Sequence, residues 1–424
     1  MANTTKLEAA RGYILSQYNE GKDFRYDLLS RKIQIRCGLS DHISPLGEAH
    51  WRNLTDKDIC TMACDCAATT GANVTDREIR IVLGSDVVEN VHPLRDWLKR
   101  LPPYDSTRHY DWIDVLASQV NVVGDNETRR RWHVCFKKWF VAMVAGWMRD
   151  EVVNHQVLVL IGRQGIYKTT WLEHLLPPCL REYCTKMASV RELSKDDRIR
   201  IAEFGLINLD EIDAATPREL NMLKSVITSA DVNERAAYGH TKERRIRCAS
   251  FCASGNNREF LSDDTGNRRW LPFEVESIQN PWTTTVLYEY VYAQALWLLD
   301  YGFNYWFDLE DTAGLQTHLE SFQCIRNEEE LLSVYFEPVD PTEPKAVFMT
   351  ASEIHAKLKL YGHIERPMPL NKFGTMLKRR GYQQRGLHNG KKGYIVKQID
   401  NQNDMNKSEV AELLSAEGAE GTSL

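Results

Sequence analysis

The 424-residue chain has no apolar run long enough to cross a bilayer; its hydrophobic stretches are short and broken by charge, which excludes a helical membrane protein. Its first residues, MANTTKLEAARGY, lack the basic-then-apolar order of a secretory signal. The expectation is a cytoplasmic protein with no membrane partner. There is no excess of positive charge either. Lys and Arg number 53 against 59 Asp and Glu, a net charge of −6, which excludes a surface coated in basic groups but leaves room for local basic patches. A zinc pattern is also missing. Ten cysteines are scattered along the chain, and the one cluster, Cys60, Cys64 and Cys66, sits on an expected helix without a second pair, so free or structural thiols are expected. No internal repeat is visible. What is present is ordinary for a globular chain of two or three domains: 43% hydrophobic and 26% charged residues.

Residues 1–20 read as a helix, and 24–40 alternate enough to suggest strands. Thr55-x-x-Asp58 and Thr75-x-x-Glu78 are capping boxes opening two helices. The stretch 90–105 predicts a helix closed by a proline turn, and 128–150, rich in Trp, Phe, Val and Met, a long buried helix. From 155 to about 275, short β-branched runs alternate with helices, as in an α/β core with parallel strands. Helices return at 283–305 and 312–335. The Pro-rich 337–346 reads as a linker, followed by two helices and a hairpin turning at Asn389-Gly390. The polar tail from 401 has the composition of a disordered segment. The expected divisions are an N-terminal α/β region at 1–85, serving as a collar or docking domain, a helical segment at 86–150, a core at 151–336, a basic module at 347–400 and a tail at 401–424.

The run LVLIGRQGIYKTTWLEHLL, 158–176, raises the functional question. A phosphate loop works because backbone N–H groups and a helix N-terminus face phosphate oxygens, while Lys reaches the outer phosphates and Ser/Thr holds Mg²⁺. Gly162, Gly165, Lys168 and Thr169 fit that pattern between a buried strand and a helix, but Tyr167 stands where the last glycine belongs. A non-glycine residue already in right-handed helical angles carries no strain there, so the expected nucleotide-binding set is Gly162, Gln164, Gly165, Ile166, Tyr167, Lys168, Thr169 and Thr170. About 40 residues on, FGLINLDEID ends a buried strand in Asp210, a candidate for Mg²⁺, and Glu211, a candidate for activating water. SFCASGNN ends another strand in Asn256, able to place the attacking water or to serve as a plain turn residue. Arg268 and Arg269 suit neutralisation of a transferring phosphoryl group from a neighbouring subunit, with a surface ion pair as the alternative.

This ordered set, with GNRRW and VHPLRDWLKRLPPYD, resembles the virulence-associated protein E (VapE) family of P-loop ATPases related to superfamily 3 helicases, over about residues 85–335. The resemblance implies an α/β fold with an AAA+-like P-loop ATPase core. A mostly helical N-terminal region and a small winged-helix-like C-terminal module would flank it. It also implies ATP and Mg²⁺ as cofactors, a homo-oligomeric ring in the form of a hexamer, and ATP-driven movement on DNA. Lys168 and Thr169 become Walker A, Asp210 and Glu211 Walker B, Asn256 sensor 1, and Arg268 or Arg269 the arginine finger. Relatives often carry an upstream primase; the 85 residues before the core are too few for one, so a separate primase is a possible partner.

Between Asp210 and Asn256 lies RAAYGHTKERRIR, where relatives place a pore hairpin. Arg235, Tyr238, His240, Lys242, Arg244 and Arg245 are the candidates for gripping single-stranded DNA, by phosphate pairing and base stacking; a solvated charged loop is the alternative. Lys378, Arg379, Arg380, Arg385, Lys391 and Lys392 make the C-terminal module basic, suited to DNA or to docking a protein. The leading expectation is an ATP-dependent DNA helicase or translocase acting in replication of a phage or mobile element. The alternatives are a nucleotide-switched loader or initiator that does not unwind, and a DNA-triggered defence ATPase.

Overall fold

The computed structural model describes residues 5–39, 49–108, 110–187, 195–234, 243–258, 260–261, 267–322, 327–362, 368–386 and 392–399. The chain divides into two compact units, Met1–Gln323 and Cys324–Leu424.

The first unit opens with α1 (Lys6–Gln17), β1 (Phe24–Asp27), β2 (Lys32–Leu39), β3 (Ala49–Asn53), α2 (Asp56–Thr70), α3 (Asp76–Leu83) and β4 (Glu89–Val91). Both expected capping boxes form: the Asp58 carboxylate accepts the Thr55 N–H at 2.8 Å, and Glu78 accepts that of Thr75 at 2.8 Å. The strands join in the order β3-β2-β1-β4, with β4 parallel to β1 and the other pairs antiparallel. Phe24 lies opposite Ile35 and Tyr26 opposite Ile33, so these side chains share one sheet face. They pack with Ile14, Met62, Ile79 and Leu83 of the helices in a small core. The region is therefore not mostly helical, as expected from sequence, but a sheet with three helices. β3 and β4 are too short to show a period of two, and β4 lies beyond residue 85.

The remainder of this unit runs α4 (Pro93–Lys99), α5 (Trp112–Ala117), β5 (Val120–Val122), α6 (Asn126–Met148), β6 (Val157–Ile161), α7 (Lys168–Glu173), β7 (Cys184–Met187), α8 (Lys195–Glu203), β8 (Leu206–Leu209), α9 (Pro217–Thr228), β9 (Asp231–Glu234), β10 (Glu243–Ile246), β11 (Ser250–Gly255), β12 (Trp270–Ile278), α10 (Tyr288–Asp300) and α11 (Leu309–Glu320). Six strands form one sheet in the order β5-β12-β6-β11-β8-β7. All neighbours are parallel except β5, which runs antiparallel to β12. Every residue of β6, β8 and β11 is buried, as expected for strands covered on both faces. The long α6 is the main support. Its Trp132, Trp139 and Trp147 are fully buried, and each donates its ring N–H to a backbone carbonyl, of Ala117, Phe251 and Gly205, at 3.0, 3.1 and 3.0 Å. Truncating any one to Ala should cost about 3–5 kcal/mol. Because β11 lies between β6 and β8, the loops leaving these three strands meet at one end of the sheet.

The second unit holds α12 (Asn327–Tyr335), β13 (Phe336–Pro338), β14 (Ala346–Met349), α13 (Ala351–Gly362), α14 (Leu370–Arg379), β15 (Gln384–Gly386) and β16 (Lys392–Gln398). β16 pairs antiparallel with β13, β14 and β15. Leu332 and Phe336 join Ile354, Leu358, Phe373, Leu377, Tyr394 and Val396 in its core. The division thus falls before α12, not at 336. The Pro-rich stretch is a turn between two strands of this unit, because the apolar face of α12 is buried here. The Asn389-Gly390 turn and the tail 401–424 lie outside the described residues.

Candidate functional site

Gly162 follows β6 directly. Its N–H donates to Gly255 O at 3.1 Å, tying the loop to the end of β11. A Cβ at this position would sit 2.6 Å from the Val275 carbonyl oxygen, so only glycine fits. Gln164 and Gly165 are exposed, Gly165 at φ +84°, while Ile166 is half-buried against the core. Tyr167 corrects the sequence reading: it caps α7 at φ 69°, ψ 15°, in the left-handed region and not at right-handed helical angles. The backbone here demands the conformation glycine adopts freely, and tyrosine adopts it at a cost.

Lys168 is 6% exposed, and its Nζ donates to Gly162 O and Arg163 O at 2.8 Å each and to Asn256 Oδ1 at 3.2 Å. Burial pushes its ammonium below the ordinary lysine range, and the carboxylates of Asp213 and Asp210 oppose that shift. Thr169 Oγ1 donates to Asp210 Oδ1 at 3.1 Å and lies 3.0 Å from Ser254 Oγ, which donates to the same Asp210 oxygen at 2.6 Å. Thr170 O meets His174 Nδ1 at 2.7 Å inside α7. Glu211 is exposed at φ 53°. Lys168, Thr169, Asp210 and Asn256 therefore converge, drawn from α7, the end of β8 and the end of β11. Ser254 and Asp213 were missed. Their signals were a hydroxyl two residues before Asn256 and a third acid in LDEID, both too short to weigh without the fold.

The donors are a hydroxyl and a carboxylate, hard oxygens of the kind magnesium takes. Among the described residues no three His, Cys, Asp or Glu side chains come together as a metal cluster. A cation at Thr169 and Asp210 would thus draw its other oxygens from phosphate and water, as Mg²⁺ does. Cys60 and Cys64 are exposed, and Cys66 is buried against Ala9 O.

The paired arginines lie at the far end of the sheet. Trp270 pairs with Val157 and Glu274 with Ile161, so Arg268 and Arg269 stand beside the start of β6 while Gly162 leaves its end. The separation along the strand is about 13 Å. His155, just before β6, lies close enough to Arg247, Arg269 and Arg268 for their charges to add to burial in lowering its pKa. Arg268 is exposed; the Nε of Arg269 is buried without a hydrogen-bond partner among the described residues.

β9 and β10 form an antiparallel ribbon, Glu234 opposite Glu243. Arg235, Tyr238, His240 and Lys242 lie outside the described residues. Arg244 is exposed and pairs with Asp231 at 2.7 Å. Arg245 is a correction: it is 7% exposed and bound to Glu203 at 2.8 Å, which makes it a support of the ribbon and not a hand held out to DNA. Arg247 is likewise buried, donating to the carbonyls of Ala249, Ile227 and Asn154. In the second unit Arg379 and Arg380 both bind Glu329, at 2.8 and 2.6 Å, while Lys378, Arg385 and Lys392 are exposed.

A buried parallel strand, a glycine loop, a lysine and threonine opening a helix, and an acid and an amide on the adjoining strand ends thus meet within a mixed α/β fold. The chain belongs to the virulence-associated protein E-like family, whose sequence profile matches residues 105–323, just over half of it. No curated protein matches in sequence. Solved apo structures of the NrS-1 C-terminal region are similar. One A-form structure has 10% identity over 93% of this chain and 99% of that one, with a TM-score of 0.43. A second has 11% identity over 92% and 99%, with a TM-score of 0.44. A third has 11% identity over 92% and 98%, with a TM-score of 0.40. Among the described residues no helix is long and apolar enough to cross a membrane.

Proposed function

We propose that the chain is a Mg²⁺-dependent ATPase that moves on DNA as a homo-oligomeric ring in replication of a phage or mobile element. The observation that carries the reading is the convergence of Lys168, Thr169, Asp210, Ser254 and Asn256 at the end of three parallel strands. Lys168 Nζ and the first N–H groups of α7 bind the outer phosphates. Thr169 and Asp210 would hold Mg²⁺, which when bound neutralises charge on the phosphate oxygens. Glu211, exposed beside Asp210, takes a proton from the attacking water, and Asn256 orients the γ-phosphoryl group. Arg268 serves a neighbouring subunit, because its place at the opposite end of the sheet keeps it from its own phosphate loop. The ribbon β9–β10, leading to the basic stretch 235–242, favours a motor that grips DNA over a loader that only binds it.

The test is ATP hydrolysis with Mg²⁺, with and without single-stranded DNA, beside Lys168→Ala and Glu211→Gln. The expected result is DNA-stimulated turnover lost at least about 100-fold in both variants. Absence of hydrolysis by the unaltered protein under every condition would sink the reading.

A further inference from the structure

The acids after β8 are not equivalent. A lysine ammonium has three N–H donors, and Lys168 gives its own to Gly162 O, Arg163 O and Asn256 Oδ1. Asp213 nevertheless bears on that charge more strongly than Asp210. Its Oδ2 accepts the Asn257 N–H at 2.9 Å, which fixes the turn that carries Asn256. Its Oδ1 is buried and has no hydrogen-bond partner among the described residues. The end of β11 is shaped around this carboxylate: a Cβ on Gly255 would stand 2.7 Å from Asp213 Oδ1 and 2.8 Å from Ile161 Cδ1. Gly255 is not at positive φ, so glycine is needed for room and not for backbone freedom.

A buried carboxylate oxygen without a donor is costly. The Lys168 donors are taken before nucleotide binds and turn to the phosphates afterwards, and ionised phosphate oxygens carry no proton. Among the described residues this leaves water as the donor. We propose that Asp213 orients the attacking water through Oδ1 while its Oδ2 holds the Asn256–Asn257 turn, a role that rests on the ATPase reading above. The water oxygen bonds to the γ-phosphorus, the bond to the ADP oxygen breaks, and Glu211 receives the proton. Asp213 exchanges no proton in this step. Its charge sits close to the phosphates, so it aids turnover and weakens nucleotide binding together.

That pairing gives the test. Asp213→Asn retains an oxygen to accept the Asn257 N–H and removes the charge; Asp213→Ala removes both. Binding of a slowly hydrolysed Mg²⁺·ATP analogue is measured by calorimetry, turnover by phosphate release, and folding by the thermal midpoint. Asp213→Asn should bind the analogue about fivefold more tightly and turn ATP over about 100-fold more slowly, with an unchanged midpoint. Asp213→Ala should lose turnover at least as far without the gain in binding. Asp213→Asn matching the unaltered protein in both constants would overturn the inference and leave the ATPase reading standing. Failure of the unaltered protein to bind the analogue would remove both.

Discussion

Tyr167 holds a left-handed backbone one residue before Lys168. That conformation costs a non-glycine residue roughly 1–2 kcal/mol, and such strain persists where the surrounding structure enforces it. Here the enforcement is visible: Gly162 is pinned to Gly255, Lys168 Nζ closes back on the loop carbonyls, and Trp171 N donates to Tyr167 O at 2.8 Å. Tyr167→Gly should therefore raise the unfolding free energy by up to about 1 kcal/mol, the relief of strain less the extra freedom glycine has when unfolded. Tyr167→Val, β-branched, should lower it by about 1 kcal/mol or more. Urea unfolding midpoints check both, and a loss of stability in the glycine variant would refute the strain. The strand, loop and helix around Gly162, Lys168 and Thr169 were legible in sequence. The angle of Tyr167 was not, because a single residue between loop and helix carries no periodic signal. Ser254 and Asp213 were hidden for a related reason: their significance comes from β11 lying against β8, a pairing of residues 44 apart in the chain for Ser254 and Asp210.

The ribbon β9–β10 shows how one element divides residues that look alike in sequence. In ERRIR the side chains alternate: Arg244 and Ile246 are exposed, Arg245 and Arg247 buried. The alternation is that of a strand with one covered face, so a run that reads as one basic patch supplies a single exposed arginine from the described part. Arg245→Ala should cost about 2–3 kcal/mol, since it leaves Glu203 facing a partly buried site without its cation. Arg244→Ala should cost under about 1 kcal/mol, as its pair with Asp231 is exposed. Thermal unfolding separates the two. A DNA-binding test of this element accordingly uses Arg244 and leaves Arg245 intact, or lost folding will pass for lost grip. α14 repeats the lesson in the second unit. Burial works to raise the pKa of Glu329, yet Arg379 and Arg380 outweigh it and hold the carboxylate below its ordinary value. The stabilisation is present above the unfolded pKa of about 4.3 and fades as pH falls through the lower folded value. Amide protection in α14 and β16, the exchange rate relative to that of the unfolded chain at the same pH, should fall on acidification below about pH 4, and Glu329→Gln should flatten that dependence. The capping boxes of α2 and α3 and the long α6 were readable because their signals are local. The three-residue strands β4, β5 and β13 were not, since so few residues show no alternation.

At the scale of the whole molecule, the sheet separates two halves of one proposed reaction. Lys168, Thr169 and Asp210 stand where β6 and β8 end, and Arg268 stands where β12 and β6 begin, about 13 Å away along the strand. A phosphate held at the loop is out of reach of its own Arg268, so in the proposed reaction an Arg268 acting on it would come from another copy. A head-to-tail ring supplies this geometry, because each subunit then presents unlike surfaces to its two neighbours. The consequence is a complementation that a site contained within one subunit cannot produce. Lys168→Ala and Arg268→Ala should each be inactive alone. Mixed in equal amounts and allowed to exchange, they create interfaces in which an intact Lys168 loop faces an intact Arg268, at about one interface in four for random assembly. Hydrolysis in the mixture should rise toward about a quarter of the unaltered rate if interfaces act independently, and by less if the ring needs neighbouring sites in sequence. Arg268→Lys should behave like Arg268→Ala in the mixture, since an ammonium lacks the planar fork of the guanidinium. Activity in the mixture no greater than the sum of the two variants, with exchange verified by subunit labelling, would place Arg268 outside the reaction. It would then be a surface residue near His155, and the ring would lose its main support.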